Sequence, residues 1–368
     1  MWLRRILAVG RQLDWIMLSA AGILMIIGLA ALYSIARGGE QPDFSFFYRQ
    51  LLFVGVGIFV MIVAICIDYR RWRELGWVAY VLMIIFLIAV LFFGQIVNGT
   101  RGWFNIAGFR FQPVEFAKIA LILFLANTIT KQVSRIQSVR VFFMTALAML
   151  FPFVLVMLQP DFGSGVILFA IWALMLFIAG ANKKLFFAMA IVGILAGVVA
   201  WLFVFQPYQR DRIMTFLNPQ LDPYGRGYHV RQALIAVGAG GIMGRGLGFG
   251  SQSQLKFIPA SQTDFIFAVI AEELGFVGVV LVICLWALIL YRLISAALRM
   301  NDDFGTIFLV GVSAVFFCHL AVNLGMNLGV VPVTGISLPL LSYGGSFLLT
   351  SLVLLGLAQS IIARNRGG

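Results

Sequence analysis

The sequence has few charged residues and few cysteines. Charged side chains make up 11% of its 368 residues, against about 25% in an ordinary soluble protein. This is too little to coat a water-exposed surface, which excludes a soluble multidomain enzyme. The three cysteines lie in apolar runs with wide spacing, which excludes a disulfide scaffold and a cysteine metal site. No Walker A motif or nucleotide-binding fold is visible, so any chemistry must use an activated substrate or an ion gradient.

Apolar residues, in contrast, are abundant and make up 62% of the chain. A membrane-spanning helix needs roughly 20 of them in a row, and the chain contains a series of such runs. We therefore predict an all-α polytopic membrane protein with ten transmembrane helices. The predicted spans are 15–36, 47–67, 75–97, 113–130, 141–158, 163–181, 185–206, 274–291, 304–327 and 340–363.

The start of the eighth span depends on three carboxylates. The stretch 263–273 is largely apolar but contains Asp264, Glu272 and Glu273. A carboxylate at the centre of a bilayer costs about 2.5–3.5 kcal/mol on insertion scales. The prediction therefore starts the span at Leu274 and makes 263–273 a short helix at the interface or in a polar cavity.

The basic residues predict the orientation. Lys and Arg come in twos and threes between apolar blocks, mostly at both termini and in the even-numbered loops, and such loops face the cytoplasm. Both termini are therefore predicted to be cytoplasmic, with a large extracytoplasmic loop, about 207–273, between helices 7 and 8. The whole chain, 1–368, is predicted to be one domain. The formal charge of +12 forms no single patch, so we expect no nucleic-acid partner.

Four polar or Gly/Pro-rich segments fall on one predicted side of the membrane. They follow or flank the odd-numbered spans, whereas the cytoplasmic loops are short and basic. This asymmetry predicts a working site that faces away from the cytoplasm and is built from four separate loops. The segments are 98–118, 159–165, 207–273 and 319–346.

The first two segments offer charged candidates, each with a structural alternative. Glu115 and Lys118 are spaced i,i+3 and can pair on one helix face, either as a charge-neutralising pair or as functional groups. Arg101 and Arg110 suit lipid headgroup anchoring as well as phosphate binding. Asp161 lies in a tight turn, where it could cap the following helix or serve the site.

The last two segments hold the other candidates. Asp264 is flanked by aromatic residues at the membrane edge, where desolvation would raise its pKa and nearby cations would lower it. Ionisable groups in such positions are candidates for catalysis. The glycine-rich run 238–250 is a weak phosphate loop but permits close backbone approach or a hinge. His319, Asn323 and Asn327 follow one another at i, i+4 and i+8, which predicts either a polar cavity or hydrogen bonds between helices.

These segments together resemble the SEDS family (shape, elongation, division and sporulation) over essentially the whole chain. The stretch Thr334-Gly335-Ile336 is more similar to the RodA branch than to the FtsW branch, which usually has a lysine there. The resemblance rests on Gly99-Thr100-Arg101-Gly102-Trp103 with Gln112-Pro113-Val114-Glu115-Phe116-Ala117-Lys118, Gly250-Ser251-Gln252-Ser253-Gln254 through Thr263-Asp264-Phe265-Ile266-Phe267-Ala268, Glu272-Glu273-Leu274-Gly275, and Gly325-Met326-Asn327 through Leu338-Pro339 and Ser342-Tyr343-Gly344-Gly345-Ser346.

The resemblance implies a peptidoglycan glycosyltransferase of the bacterial cytoplasmic membrane. It would polymerise lipid II at the outer face during cell elongation and rod-shape maintenance, beside a class B penicillin-binding protein and the elongation machinery. Asp264 matches the family's catalytic aspartate and would act as general base, and Glu115, Lys118 and Asp161 match other positions important in the family. Two departures stand out: 260–262 lacks the charged residues and His common in relatives, and Ser337 replaces a usual proline.

Further expectations follow from the chemistry of this substrate. Positive charge near the departing diphosphate would help, from side chains or from Mg²⁺ or Mn²⁺, and no organic cofactor is expected. Ser342 and Tyr343 belong to the last motif and are expected to support the site. The candidate cations are Arg101, Arg110, Lys118, Arg210, Arg212 and Arg245.

Two other functional classes fit the composition. A flippase for lipid-linked precursors would need alternating access, often with inverted repeats, and polar groups on both faces. No convincing internal repeat is visible, and the polar groups gather on one face. A non-catalytic scaffold for a penicillin-binding protein would tolerate loss of Asp264.

Overall fold

A computed structural model describes residues 10–38, 41–97, 99–106, 108–204, 210, 214, 216 and 226–366. In this part of the chain, nine helices are long and apolar enough to cross a membrane, and one further apolar helix has 17 residues. The helices are α1 (Trp15–Arg37), α2 (Ser45–Cys66), α3 (Tyr69–Glu74), α4 (Gly76–Phe93), α5 (Pro113–Lys131), α6 (Val139–Leu158), α7 (Phe162–Ile178), α8 (Lys183–Val199), α9 (Arg226–Gly240), α10 (Ser251–Gln254), α11 (Ile266–Leu298), α12 (Asp303–Asn327) and α13 (Gly345–Arg366).

The prediction that the fold is all-α is wrong in one place. A small antiparallel sheet of three strands, in the order β1-β2-β3, lies between α4 and α5. The predicted third span ran through β1 because its residues are apolar, but α4 ends at Phe93 and Gly94 is extended. The strands are β1 (Gln95–Val97), β2 (Thr100–Ile106) and β3 (Phe109–Phe111).

Several helices begin where local side chains satisfy the free backbone N–H groups. Asp14 accepts a hydrogen bond from the amide of Met17 at the start of α1, and Asp161 does the same for Ser164 at the start of α7. Pro113 occupies the first turn of α5, where no N–H is required. The last predicted span began five residues too early, because 340–344 is an apolar loop and not a helix.

The helices form one bundle whose outer surface is apolar. Neighbouring pairs include α2 with α13, α4 with α5, and α11 with both α12 and α9. The helices α5, α12 and α13 are the most buried of the long helices, whereas α8 has no buried residue among those described. Large apolar side chains such as Phe59 and Phe187 are exposed, as expected for surfaces that face lipid. The chain is a multi-pass membrane protein.

The helix α11 is interrupted at Gly275. This residue has φ 66° and ψ −165°, a backbone conformation that only glycine adopts readily. The stretch 266–274 is thus a short helix in front of a long apolar one. The prediction placed the start of the span at Leu274, one residue before this break.

The glycine-rich run after α9 fills the break in α11. A Cβ on Gly244 would collide with the carbonyl group of Glu273, so the close approach requires glycine. The loop supplies partners to backbone groups that a continuous helix would have paired internally. The bonds are Arg245 N to Glu272 O (3.0 Å), Gly246 N to Glu273 O (2.9 Å), Phe276 N to Gly241 O (2.9 Å) and Val277 N to Ile242 O (3.1 Å).

Candidate active site

Asp264 lies at the end of the loop that leads into α11. Its backbone carbonyl accepts one hydrogen bond from Asn323 Nδ2 and another from Asn327 Nδ2, each 3.0 Å long. Both asparagines are fully buried and project from successive turns of α12. Two amides therefore fix the backbone of Asp264 and leave its carboxylate available.

The Asp264 carboxylate faces Gly335, in the loop between α12 and α13. A Cβ built on Gly335 would stand 3.8 Å from Asp264 Oδ2. Burial raises the pKa of Asp264 to about 6, while a hydrogen bond from the side chain of Thr263 counteracts part of this rise. The side chain nevertheless keeps partial exposure. With this pKa the carboxylate is mostly ionised at neutral pH.

Ser342 and Tyr343 donate hydrogen bonds to the backbone of the loop that carries Asp264. Ser342 Oγ donates to the carbonyl of Thr263 at 2.6 Å, and the amide of Tyr343 donates to the carbonyl of Gln262 at 2.8 Å. The ring of Tyr343 meets Phe46 of α2 edge to face, with centroids 4.9 Å apart. The structure thus brings both residues beside the Asp264 loop, where they support it.

Asp161 caps α7, which is one of the two roles that the sequence predicted for it. Its carboxylate accepts from the amide of Ser164 (3.0 Å), from Ser164 Oγ (2.7 Å) and from Gln112 Nε2 (3.3 Å). The following turn touches the loop opposite Asp264, because a Cβ on Gly163 would stand 2.8 Å from the carbonyl oxygen of Thr334. Asp161 therefore joins the second polar segment to the first, and Gly163 packs the second segment against the fourth.

Glu115 and Lys118 form a buried ion pair inside the bundle. Lys118 Nζ lies 2.8 Å from Glu115 Oε1, and only 1% of the Lys118 side chain is exposed. Its ammonium group also lies 3.0 Å from His319 Nε2 and 5.1 Å from the centre of the Phe347 ring. The structural-pair interpretation fits this geometry, and in this arrangement Lys118 is not free to hold a diphosphate.

Arg101, Arg110 and Arg245 lie on the surface, Arg210 is partly exposed, and none of these four arginines forms an ion pair with Asp264. Arg101 and Arg110 are exposed residues of the small sheet. Arg245 is exposed and donates to Ala239 O and Ser251 Oγ. Arg210 donates to Leu202 O, and Arg212 lies outside the described residues.

The protein side chains offer no ready-made metal site in the described residues. No three His, Cys, Asp or Glu side chains gather there as metal ligands could. The Asp161 carboxylate already accepts three hydrogen bonds, two from Ser164 and one from Gln112.

Comparison with known proteins decides the family. The family model described as cell cycle protein, covering FtsW, RodA and SpoVE, matches residues 11–367. Stage V sporulation protein E of Bacillus subtilis is 39% identical over 355 residues, which cover 94% of this chain and 95% of that protein. The peptidoglycan glycosyltransferase MrdB of Escherichia coli is 36% identical over 342 residues, 92% of this chain and 91% of that protein.

The chain belongs to the FtsW/RodA/SpoVE family. Solved structures of this family agree with the fold. A chain of a peptidoglycan synthase complex that coordinates polymerisation and crosslinking superposes with a TM-score of 0.85, 32% identity and coverage of 97% of this chain and 99% of that one. The rod shape determining protein RodA of Thermus thermophilus gives a TM-score of 0.71 at 30% identity, covering 97% of this chain and 98% of that one. The family predicted from the motifs is thus confirmed.

Three residues of this family member hold the site together although the sequence did not single them out for that role. Asn323 and Asn327 were recognised as a polar stripe, and the structure shows that the stripe makes interhelical hydrogen bonds. Gln50 of α2 was missed: Gln50 Nε2 donates to Ser342 O (3.1 Å), and Gln50 Oε1 accepts from the amide of Gly344 (3.2 Å). A lone glutamine in an apolar run is the only sequence feature that could have indicated it.

Proposed function

We propose that this chain polymerises lipid II into glycan strands, with Asp264 as the general base. The chain is a peptidoglycan glycosyltransferase by its family, and curated relatives with that name match nearly its full length. The observation that carries the proposal is the placement of Asp264. Its backbone is fixed by two amides, its carboxylate is only partly exposed, and its pKa of about 6 suits proton abstraction.

The reaction needs a single displacement with inversion. Lipid II carries an α-linked diphosphate, and the glycan linkage formed is β-1,4. The acceptor hydroxyl oxygen forms a bond to the anomeric carbon as the bond from that carbon to the diphosphate oxygen breaks. Asp264 takes the hydroxyl proton, and the polyprenyl diphosphate leaves with the bonding electrons. One carboxylate suffices, because inversion needs no covalent intermediate.

Positive charge is proposed to stabilise the departing diphosphate. Arg101, Arg110 and Arg245 are exposed, and their guanidinium groups can pair with phosphate oxygens. The same role is proposed for Arg210 and Arg212. Mg²⁺ or Mn²⁺ bound mainly by the substrate would supply further charge, and no organic cofactor is required.

The proposed topology has ten membrane crossings, both termini in the cytoplasm and the site at the outer face. A polyprenyl-linked substrate would reach Asp264 laterally from the bilayer. The proposed partner is a class B penicillin-binding protein within the elongation machinery, which would crosslink the strands. Support comes from the related chain in a synthase complex that coordinates polymerisation and crosslinking.

The first prediction is that Asp264→Asn abolishes polymerisation. The amide keeps the shape of the side chain but cannot accept the hydroxyl proton, so the rate should fall by about 10²–10⁴-fold. The measurement is glycan formation from labelled lipid II by the purified chain together with its partner. The same assay in excess chelator tests the divalent cation, since full activity there would exclude it.

A matched control is Asp43→Asn, which removes another carboxylate from the loop between α1 and α2 and should leave polymerisation intact. An Asp264→Asn protein that is folded and still makes polymer would overturn the role of the base and would favour a scaffold. Lipid flipping by reconstituted protein that makes no polymer would favour the transporter alternative.

A further inference from the structure

A buried chain of hydrogen bonds runs from α5 through α12 to the loop opposite Asp264. Glu115 Oε1 accepts from Lys118 Nζ at 2.8 Å, and Lys118 Nζ meets His319 Nε2 at 3.0 Å. On its other side, His319 Nδ1 lies 3.2 Å from the carbonyl oxygen of Ser337. His319 is only 2% exposed. Each of its ring nitrogens therefore has a protein partner, and neither depends on water.

The partners of His319 determine which nitrogen holds the proton. A lysine ammonium group can only donate, so Nε2 must accept and cannot carry a hydrogen. The carbonyl of Ser337 can only accept, so Nδ1 must carry the hydrogen and donate it. The ring is therefore the neutral Nδ1–H tautomer, and it stacks on Phe347 with centroids 4.3 Å apart and planes 18° apart.

The segment held by His319 forms the wall opposite the catalytic carboxylate. Ser337 follows Ile336, whose carbonyl accepts from Asn323 Nδ2 at 2.7 Å. The same amide nitrogen holds the carbonyl of Asp264 at 3.0 Å. Two residues before Ser337, Gly335 faces the Asp264 carboxylate. His319 thus connects the buried Lys118 with a segment that shares a hydrogen-bond donor with Asp264.

We propose that His319 is a positioning residue for the transferase reaction, acting as a fixed neutral imidazole. It holds the segment Gly335–Ser337 against the Asp264 loop, so that the acceptor hydroxyl meets the carboxylate in a reactive geometry. It exchanges no proton during the reaction. The proposal rests on the function proposed above and adds a residue that touches neither sugar nor diphosphate.

The decisive comparison is His319→Gln with His319→Phe. A glutamine amide offers one acceptor for Lys118 and one donor for the Ser337 carbonyl, so it replaces both bonds but cannot act as an acid or base near neutral pH. A phenylalanine keeps the stacking on Phe347 and loses both bonds. We expect the Gln variant to keep the wild-type kcat within about threefold, and the Phe variant to lose about tenfold or more in kcat, since small misplacements at a reacting centre have large effects on rate.

Ser313→Ala is the matched control. Ser313 lies on the same helix and is buried, but its hydroxyl bonds only to Leu309 O within α12, so this variant should polymerise normally. A Gln variant as inactive as the Phe variant, with wild-type thermal stability, would show that the imidazole itself is needed and would overturn the proposal. A fully active Phe variant would overturn it as well.

The tautomer can be measured without relying on activity. The chain contains two histidines, so ¹⁵N-histidine labelling of the wild type, with His229→Gln for assignment, isolates the His319 ring signals. A neutral Nδ1–H ring that persists from about pH 6 to about pH 8 is expected, and a protonated ring or the other tautomer would refute the geometry even if a variant fails to fold. Wild-type protein that makes no glycan would contradict the proposed function, whereas the ring measurement tests His319 separately.

Discussion

The ionisation of Asp264 sets the pH range in which the proposed reaction runs. A general base must be deprotonated, and burial raises the pKa of this carboxyl to about 6. Activity should therefore be fully present well above pH 6 and should fall about tenfold per pH unit below it. The measurement is kcat/KM for polymerisation as a function of pH, because this quantity reports the pKa of the free enzyme.

Thr263→Val provides the internal check on that profile. The Thr263 side chain donates the hydrogen bond that lowers the pKa of Asp264, so its loss should move the midpoint to higher pH. Asp264→Glu would alter the geometry as well and is less suitable. A wild-type rate that does not change between about pH 5 and about pH 8 would argue against Asp264 as the base.

At the residue scale, the sequence was sufficient to indicate Asp264 but not the groups around it. A carboxylate directly before an apolar run that begins with aromatic residues is unusual enough to be noticed. Its partners Asn323 and Asn327 lie 59 and 63 residues further along the chain. Such long-range contacts leave no local pattern, and the same holds for Gln50, whereas Ser342 was expected to support the site because it belongs to the last motif.

At the scale of elements, the broken helix α11 gives a test of stability. Gly244 has φ +79°, and a Cβ there would collide with the carbonyl of Glu273. Gly244→Ala should lower the free energy of unfolding by about 1–3 kcal/mol, because it combines backbone strain with a clash. The shift is measured by thermal unfolding of the purified protein in detergent.

Gly238→Ala is the control for that substitution. Gly238 lies in α9 with nothing within 4 Å of a new Cβ, and replacing a helical glycine by alanine stabilises by about 0.5–1 kcal/mol. The two variants add the same methyl group six residues apart. Equal stability of both would mean that the glycine-rich loop does not fill the break in α11.

The long helices were predictable because a helix that crosses lipid needs roughly 20 mostly apolar residues in a row. Spans such as α2 and α12 appear in the sequence as apolar runs within a few residues of their observed bounds. The strand β1 and the loop 340–344 were assigned to helices, because both are apolar. Composition reports burial or contact with lipid, whereas hydrogen bonds to other segments decide the backbone conformation.

At the scale of the whole molecule, α1 connects the two halves of α11. Near its end, Ser34 Oγ donates to Glu273 Oε1, which precedes the break at Gly275. At its start, Asp14 Oδ2 lies 2.6 Å from Arg292 Nη2, which follows the break. Asp14 also exchanges backbone hydrogen bonds with the side-chain amide of Gln359 in α13.

Orientation in the membrane is tested with single cysteines. In a background without the three native cysteines, Asn105→Cys in the sheet should react with a membrane-impermeant maleimide in intact spheroplasts. Asn301→Cys, between α11 and α12, should react only after permeabilisation, because Arg292 and Arg299 lie at the preceding helix end and basic residues flank cytoplasmic loops. The reverse pattern would place the site in the cytoplasm and exclude an outer-face polymerase.

The interruption of α11 has a mechanical consequence. A continuous helix would pass any tilt imposed by a thicker or thinner bilayer directly to its end, and Asp264 stands just before that end. Here the lipid-crossing half meets the short half at Gly275, and the glycine-rich loop fills the break between them. We therefore expect tilting of the lipid-crossing half to be absorbed at Gly275, while Asn323 and Asn327 of α12 hold the backbone of Asp264 in place.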